Sequence, residues 1–306
     1  MTRVSVVMPV FNGERWIAEA VKSVLSSTYR DFELLVLDDG STDGSRAAAI
    51  AAAASDPRVR VIPLEHGGIA ATRNAGLEHS RGEFIANLDA DDAMFPERLG
   101  RQVAFLDAHP ECVAVGTRSV VVNDDGIPVG IVGRYFTHED IDRSLLQGNG
   151  GAIGNDTAMI RKQVAIDVGR YSVNLRATGE DHDMWLRLAE AGRLVCVPDV
   201  LNRYRIHANN TSRGAGSKDR RLPVTLHNIE RAFARRGIKG RTPEKVKQAP
   251  MKPVERWRDR ALLAYYRGAT TKALVRALGA LAASPFDASI RAALRQIRSG
   301  PTPRWW

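Results

Sequence analysis

The N-terminal third of the chain alternates unbroken apolar runs with amphipathic segments, and this alternation narrows the possible folds most. Val4–Met8, Phe32–Leu37, Val59–Pro63 and Glu83–Leu88 read as strands. Between them, Glu14–Ser27, Gly44–Ala54 and a segment opened by Gly67-Gly68 and running to His79 carry helical spacing. In the first of these, Trp16, Ile17, Ala20, Val21, Val24 and Leu25 fall on one face. Strands that are apolar on both faces belong to a sheet buried on both sides. When helices separate them, the sheet is parallel and doubly wound. Ligands of such sheets bind beyond the carboxyl ends of the strands.

Three polar clusters fall at three such ends: Pro9-Val10-Phe11-Asn12, Asp38-Asp39 and Asp89-Ala90-Asp91-Asp92. The last places carboxylates on a tight turn. Hard divalent cations such as Mg²⁺ or Mn²⁺ take oxygen ligands, commonly one or two carboxylates plus the phosphates of a substrate. A cation there would offset charge building on a departing diphosphate. The plain alternative is a solvated turn that caps the next helix. Asp38-Asp39-Gly40-Ser41-Thr42-Asp43 can accept hydrogen bonds from a nucleobase, cap the Ala-rich helix, or do both.

His66-Gly67-Gly68 leads into a helix with Arg73 one turn in, and helix N-termini and Arg both favour phosphate. The chain holds neither G-x-G-x-x-G nor G-x-x-x-x-G-K-[ST], which argues against dinucleotide and P-loop chemistry. Gly179-Glu180-Asp181 opens a helix. A carboxylate there can be a general base, or simply an acidic residue favoured by the helix dipole.

The segments V-S-V-V-M-P-V-F-N-G-E, L-L-V-L-D-D-G-S-T-D-G-S, G-I-A-A-T-R-N-A-G, G-E-F-I-A-N-L-D-A-D-D, G-E-D-H-D-M-W-L-R-L and Y-R-I-H occur in that order. Over roughly residues 3–210 the chain resembles the family 2 glycosyltransferases, which have the GT-A fold. The resemblance implies inverting transfer from a nucleoside diphosphate sugar with a divalent cation. By position it implies that Pro9, Phe11, Asn12 and Glu14 line the nucleotide site with Asp38, and that Asp39 holds the base. It puts Arg73 and Ala90 near the donor, makes Asp89 and Asp91 the metal motif, and makes Asp181 the catalytic base. His207 matches a late histidine able to reach the metal or diphosphate, and UDP is the favoured nucleotide. The Gly-rich stretch 147–157 departs from the family pattern, which leaves the acceptor open: a glycan or a lipid-linked acceptor.

The expected architecture is therefore α/β: a GT-A-type, mostly parallel sheet flanked by helices, with a C-terminal helical appendage. Residues 1–212 form the nucleotide-sugar-binding and catalytic domain, and residues 213–306 a basic helical region. Further expected strands are Cys112–Val122, Pro128–Tyr135, Arg193–Val197 and Leu201–Tyr204. Expected helices are Pro96–His109, His138–Leu146, Arg161–Val168 and Asp181–Ala191, then 218–237, 253–266, 269–283 and 286–298.

Charge divides the same way. Residues 203–306 carry 24 Lys and Arg against 6 Asp and Glu, whereas residues 1–202 carry 20 against 29. The basic end suits peripheral contact with an anionic membrane, an acidic polysaccharide, or a solvated appendage. No aromatic interleaving or known motif points to nucleic acid. Arg304-Trp305-Trp306 is compatible with an interfacial anchor. Cys112 and Cys196 sit in apolar runs and read as buried thiols. No apolar stretch reaches the roughly 18–20 residues a bilayer span needs, and no signal-peptide pattern occurs, so the expected location is the cytoplasm, extending to the inner face of the membrane. A sugar nucleotidyltransferase and a non-catalytic nucleotide-sugar-binding protein are the competing readings.

Overall fold

The computed structural model describes residues 2–175, 179–208, 210, 217–240 and 250–299. The expected boundary between residues 212 and 213 and the terminal Arg304-Trp305-Trp306 lie outside the described residues. The strands are β1 (Val4–Val10), β2 (Phe32–Asp38), β3 (Val59–Pro63), β4 (Phe84–Asn87), β5 (Ala93–Met94), β6 (Cys112–Val122), β7 (Pro128–Val132), β8 (Met159–Arg161) and β9 (Arg193–Arg205). The helices are α1 (Ile17–Leu25), α2 (Ser45–Ala53), α3 (Ile69–His79), α4 (Arg98–Ala108), α5 (His138–Leu146), α6 (Lys162–Asp167), α7 (Glu180–Ala191), α8 (Ser217–Arg235), α9 (Pro253–Tyr266), α10 (Thr270–Ala283) and α11 (Ala288–Ser299).

One sheet runs β3-β2-β1-β4-β8-β6-β9-β5, with β7 paired on β6. It is mixed. β3, β2, β1 and β4 are parallel, β8 is antiparallel to both β4 and β6, and β9 is parallel to β6. Alternate residues of β1 face opposite sides, as strand geometry requires. Val4, Val6, Met8 and Val10 pack with α1, α2 and α4, whereas Val7, with Leu35 and Leu37 of β2, packs with α3, α5 and α7. A third core joins Val120 and Val200 to α9, α10 and α11.

Five elements differ from expectation, each for an identifiable reason. α1 begins at Ile17 because the N–H groups of Asn12, Gly13 and Glu14 donate to Ser41 Oγ, Ser45 Oγ and Asp43 Oδ2 rather than entering a helix. α4 begins at Arg98, past Pro96, whose carbonyl accepts the Thr28 N–H (2.9 Å). β9 is continuous through Pro198 and Asp199, absorbing them in irregularities of register with β6. β5 and β8, two and three residues long, carry too few residues to show a period, and both are held by non-local partners. Both cysteines are free and buried, and burial pushes the Cys196 thiol up to about 12. Among the described residues no helix is long and apolar enough to cross a membrane.

Candidate active site

The carboxyl ends of β1, β2 and β4 lie side by side and bring the three polar clusters together. Pro9 stays within β1, buried and opposite Leu37. Past the strand, Asn12 takes the left-handed conformation (φ 53°), which Asn tolerates better than most residues. Its Oδ1 accepts the Thr42 N–H (2.9 Å), and Glu14 Oε2 accepts the Gly44 N–H (2.9 Å). Asn12 and Glu14 thus tie the β1 loop to the β2 loop. Asp38 Oδ1 accepts the Ser41 N–H (3.0 Å).

Asp39 is buried and fastens the loop before α3. Its two carboxylate oxygens accept the N–H groups of Gly67 (2.9 Å) and Gly68 (3.0 Å). A carboxylate has about four acceptor positions, so capacity for a ligand N–H remains. His66 Nδ1 lies 2.9 Å from the Asp39 carbonyl oxygen, and its ring stacks on exposed Phe11 with centroids 4.4 Å apart. The two rings form a flat surface beside Asp39. His66 was not among the expected site residues, because a lone histidine before two glycines carries no signal until the fold sets it against Phe11.

Asp89, Ala90 and Asp91 follow β4 directly. Ala90 is buried near the β1 loop, its Cβ facing Gly13. Asp91 Oδ2 lies 2.8 Å from His207 Nε2 and accepts from Asn210 Nδ2 (3.2 Å). The His207 ring packs on Trp16, 4.0 Å between centroids. Burial pushes the Asp91 carboxyl above its ordinary pKa, and neighbouring Asp89 adds to this, with His207 opposing. Asp92 turns inward: its Oδ1 accepts the Arg205 N–H (2.8 Å), and burial beside Asp156 and Asp91 raises its pKa well above the usual range.

Arg73 connects the two halves of the site. It is buried; NH1 donates to Glu180 Oε1 (2.7 Å) and NH2 to Asp89 Oδ1 (3.2 Å). Burial opposes its charge, but Asp89 and Glu180 hold it firmly protonated. Glu180, engaged by Arg73, is buried, whereas its neighbour Asp181 is half-buried. Asp181 Oδ1 accepts the His182 N–H (2.7 Å). Burial raises the Asp181 pKa, and Arg73 and the His182 N–H hold it back. The acid on the α7 side is thus joined to the Asp-x-Asp turn by one arginine.

Among the described residues no group of three or more His, Cys, Asp or Glu side chains forms a complete metal cage. The donor set nevertheless fits a divalent cation shared with a nucleotide: Asp89 and Asp91 supply oxygens, and their mutual repulsion is what a cation relieves.

Comparison with known proteins identifies the family. Residues 5–169 match the family described as Glycosyl transferase family 2. The Bacillus subtilis (strain 168) protein named "Putative glycosyltransferase EpsE" is 35% identical over 193 residues, covering 62% of this chain and 68% of its own. The Escherichia coli protein named UDP-Glc:alpha-D-GlcNAc-diphosphoundecaprenol beta-1,3-glucosyltransferase WfgD is 28% identical, covering 68% and 79%. Among solved structures, S. aureus TarS 1–349 in complex with UDP-GlcNAc superposes with a TM-score of 0.57 at 18% identity, covering 97% of this chain and 90% of that one. The mannosyltransferase PcManGT of Pyrobaculum calidifontis, solved with GDP-Man and Mn2+, gives 0.57 at 23%, covering 95% and 77%. Matched over more than half its length by the family's sequence pattern and built on the same fold, the chain belongs to glycosyl transferase family 2.

Proposed function

We propose that the protein transfers a sugar, with inversion, from a nucleoside diphosphate donor to a hydroxyl of a glycan or lipid-linked acceptor in cell-surface polysaccharide or glycolipid synthesis. The observation that carries the reading is the joining of Asp181, through Glu180 and Arg73, to the Asp-x-Asp turn. Such a pairing suits a base on one side of the anomeric carbon and a diphosphate on the other. Phe11, His66 and Asp39 form the base end of the donor site, with Pro9, Asn12, Glu14 and Asp38 shaping the loops around it. Asp89 and Asp91, with His207 beside them, hold a divalent cation together with the diphosphate; when bound, the cation offsets charge on the leaving group. UDP is the favoured nucleotide, since TarS is seen with UDP-GlcNAc and WfgD is named for UDP-Glc, with GDP as the competitor from the mannosyltransferase. The diphosphoundecaprenol in the WfgD name supports a lipid-linked acceptor and action at the inner membrane face.

In the transfer, Asp181 accepts the proton of the acceptor hydroxyl. That oxygen bonds to the anomeric carbon as the bond from this carbon to the diphosphate oxygen breaks, and the electron pair leaves with the nucleoside diphosphate. One displacement inverts the centre and needs no covalent intermediate.

The test is Asp181→Asn. A general base contributes about 10²- to 10⁴-fold, so transfer should fall by that factor while the variant folds and binds UDP as before. Normal turnover, or release of pyrophosphate instead of nucleoside diphosphate by the unaltered protein, would overturn the assignment.

A further inference from the structure

Helix α10 turns the wrong kind of face outward for a water-facing helix. Its inner face is alanine: Ala273, Ala277 and Ala280 are buried against α9 and α11. Its outer face carries Val275 (66% exposed) and Leu278 (46%), and Phe286 (87%) follows at the turn into α11. Trp257 of α9 (47% exposed) lies against Gly279, extending the same apolar surface across the helix pair. Phe286 and Val275 are the two most exposed large apolar side chains of the described residues.

The flanks of this patch are basic. Lys272 and Arg276 lie along one side of α10, and Arg276 donates to the Arg260 carbonyl (3.3 Å), which brings the exposed Arg260 alongside. Arg291 stands over the Phe286 ring at 5.9 Å. From residue 257 to residue 291 the chain contains Arg258, Arg260, Arg267, Lys272, Arg276 and Arg291 against Asp259, which Arg118 and Arg258 engage, and Asp287, which Ser289 engages. Apolar side chains at the crest with cations at the rim match a helix lying in a headgroup layer. A protein partner of ordinary composition would leave these cations to find individual counter-charges, whereas an anionic bilayer presents them everywhere.

We propose that the outer face of α10, with Trp257 and Phe286, is a membrane-docking surface that seats in an anionic lipid bilayer. It deepens the reading of a lipid-linked acceptor, but it rests on the exposed side chains and their charge and not on transfer chemistry.

The test is flotation of the full chain with phosphatidylcholine vesicles, with and without phosphatidylglycerol. Binding is expected only with the anionic lipid and is expected to weaken at high salt. Val275→Asp with Leu278→Asp should reduce binding at least about tenfold, since each inserted apolar side chain contributes on the order of 1.4 kcal/mol or more. The milder Val275→Ser with Leu278→Ser, whose fold is checked by circular dichroism, should lose it in part. A polarity-sensitive dye on Phe286→Cys should shift to shorter wavelength on anionic vesicles. No binding at low salt overturns the proposal, and so does binding that the paired substitutions leave unchanged. Sedimentation showing a dimer that these substitutions dissociate would assign the face to a second copy instead. Transfer to a soluble acceptor, measured in parallel, separates failure of this surface from failure of the catalytic reading.

Discussion

Asp181 sits where a carboxylate resists ionisation. Burial removes the water that stabilises its charge, and Asp89 adds repulsion, while Arg73 and the His182 N–H pull the other way. The balance leaves its pKa raised. A base must be deprotonated to act, and a raised pKa means the proton returns at a higher pH than on an exposed aspartate, about 3.9. Log(kcat/KM) should therefore fall with unit slope as pH drops, through a value above that of an ordinary aspartate. A limb at the ordinary value, or one that persists in Asp181→Asn, would show that another group sets it. At this scale the sequence is read through motif spacing. Asp89 and Asp91 stand out because they follow a strand whose pattern is clear, and Asp181 because it opens a clear helix. Arg73 stands out as an arginine one turn into its helix, but its bond to Glu180 does not, since the two are 107 residues apart and no periodicity links them. Asn210 on Asp91 and His66 on Phe11 escape for the same reason: each becomes a neighbour only when strands pair.

Among elements, α8 has a consequence for catalysis that its basic composition hides. Gly179, the residue before Glu180-Asp181, takes a left-handed conformation (φ 82°) that favours glycine, and Val224 of α8 lies against it. Fully buried Asn228 donates from Nδ2 to the Gly179 carbonyl (2.9 Å), and Arg231 approaches Asp183 (3.7 Å). A helix from beyond the family match thus braces the turn that presents Asp181, the proposed base. Asn228→Ala should lower kcat about tenfold, on the order of 1.4 kcal/mol, and leave donor affinity within about twofold. Equal losses in kcat and in UDP binding would mean that α8 supports the whole site and not this turn. The elements themselves were largely visible in the pattern, because solid apolar strands and amphipathic helices have distinct periods. What the pattern misses is a two- or three-residue strand such as β5 or β8. Nor does it show that β8 runs antiparallel between β4 and β6, since direction depends on where the chain returns.

At the scale of the molecule, the basic C-terminal region is bound into the body by a buried charge. Arg118 of β6 is fully buried; its Nε donates to the Gly133 carbonyl (2.8 Å) and its NH2 to Asp259 of α9 (2.5 Å). Burial pulls the Arg118 pKa down to about 10, and Asp259 opposes that pull. Asp259 also accepts from Arg258 (2.8 Å), which donates in turn to Ser289 of α11 (2.6 Å). Charge and texture divide the sequence near residue 212, and we propose that division into a catalytic domain, 1–212, and a basic helical region, 213–306. The third core and this ion cluster tie the folding of α9, α10 and α11 to that of the sheet. Deleting one partner of a buried pair leaves an uncompensated charge and costs about 3–5 kcal/mol, whereas a half-exposed pair is worth about 1 kcal/mol or less. Asp259→Ala, which strands the fully buried Arg118, should therefore lower stability by more than Glu255→Ala, which removes the partner of the part-exposed Arg134 and the acceptor of the Lys252 N–H at the start of the same helix. Urea unfolding of the full chain compares the two. If Asp259→Ala costs no more than Glu255→Ala, the ion cluster does not hold the halves together. If instead it gives two separate transitions, the C-terminal helices fold on their own, and the boundary drawn from charge is a boundary of stability as well.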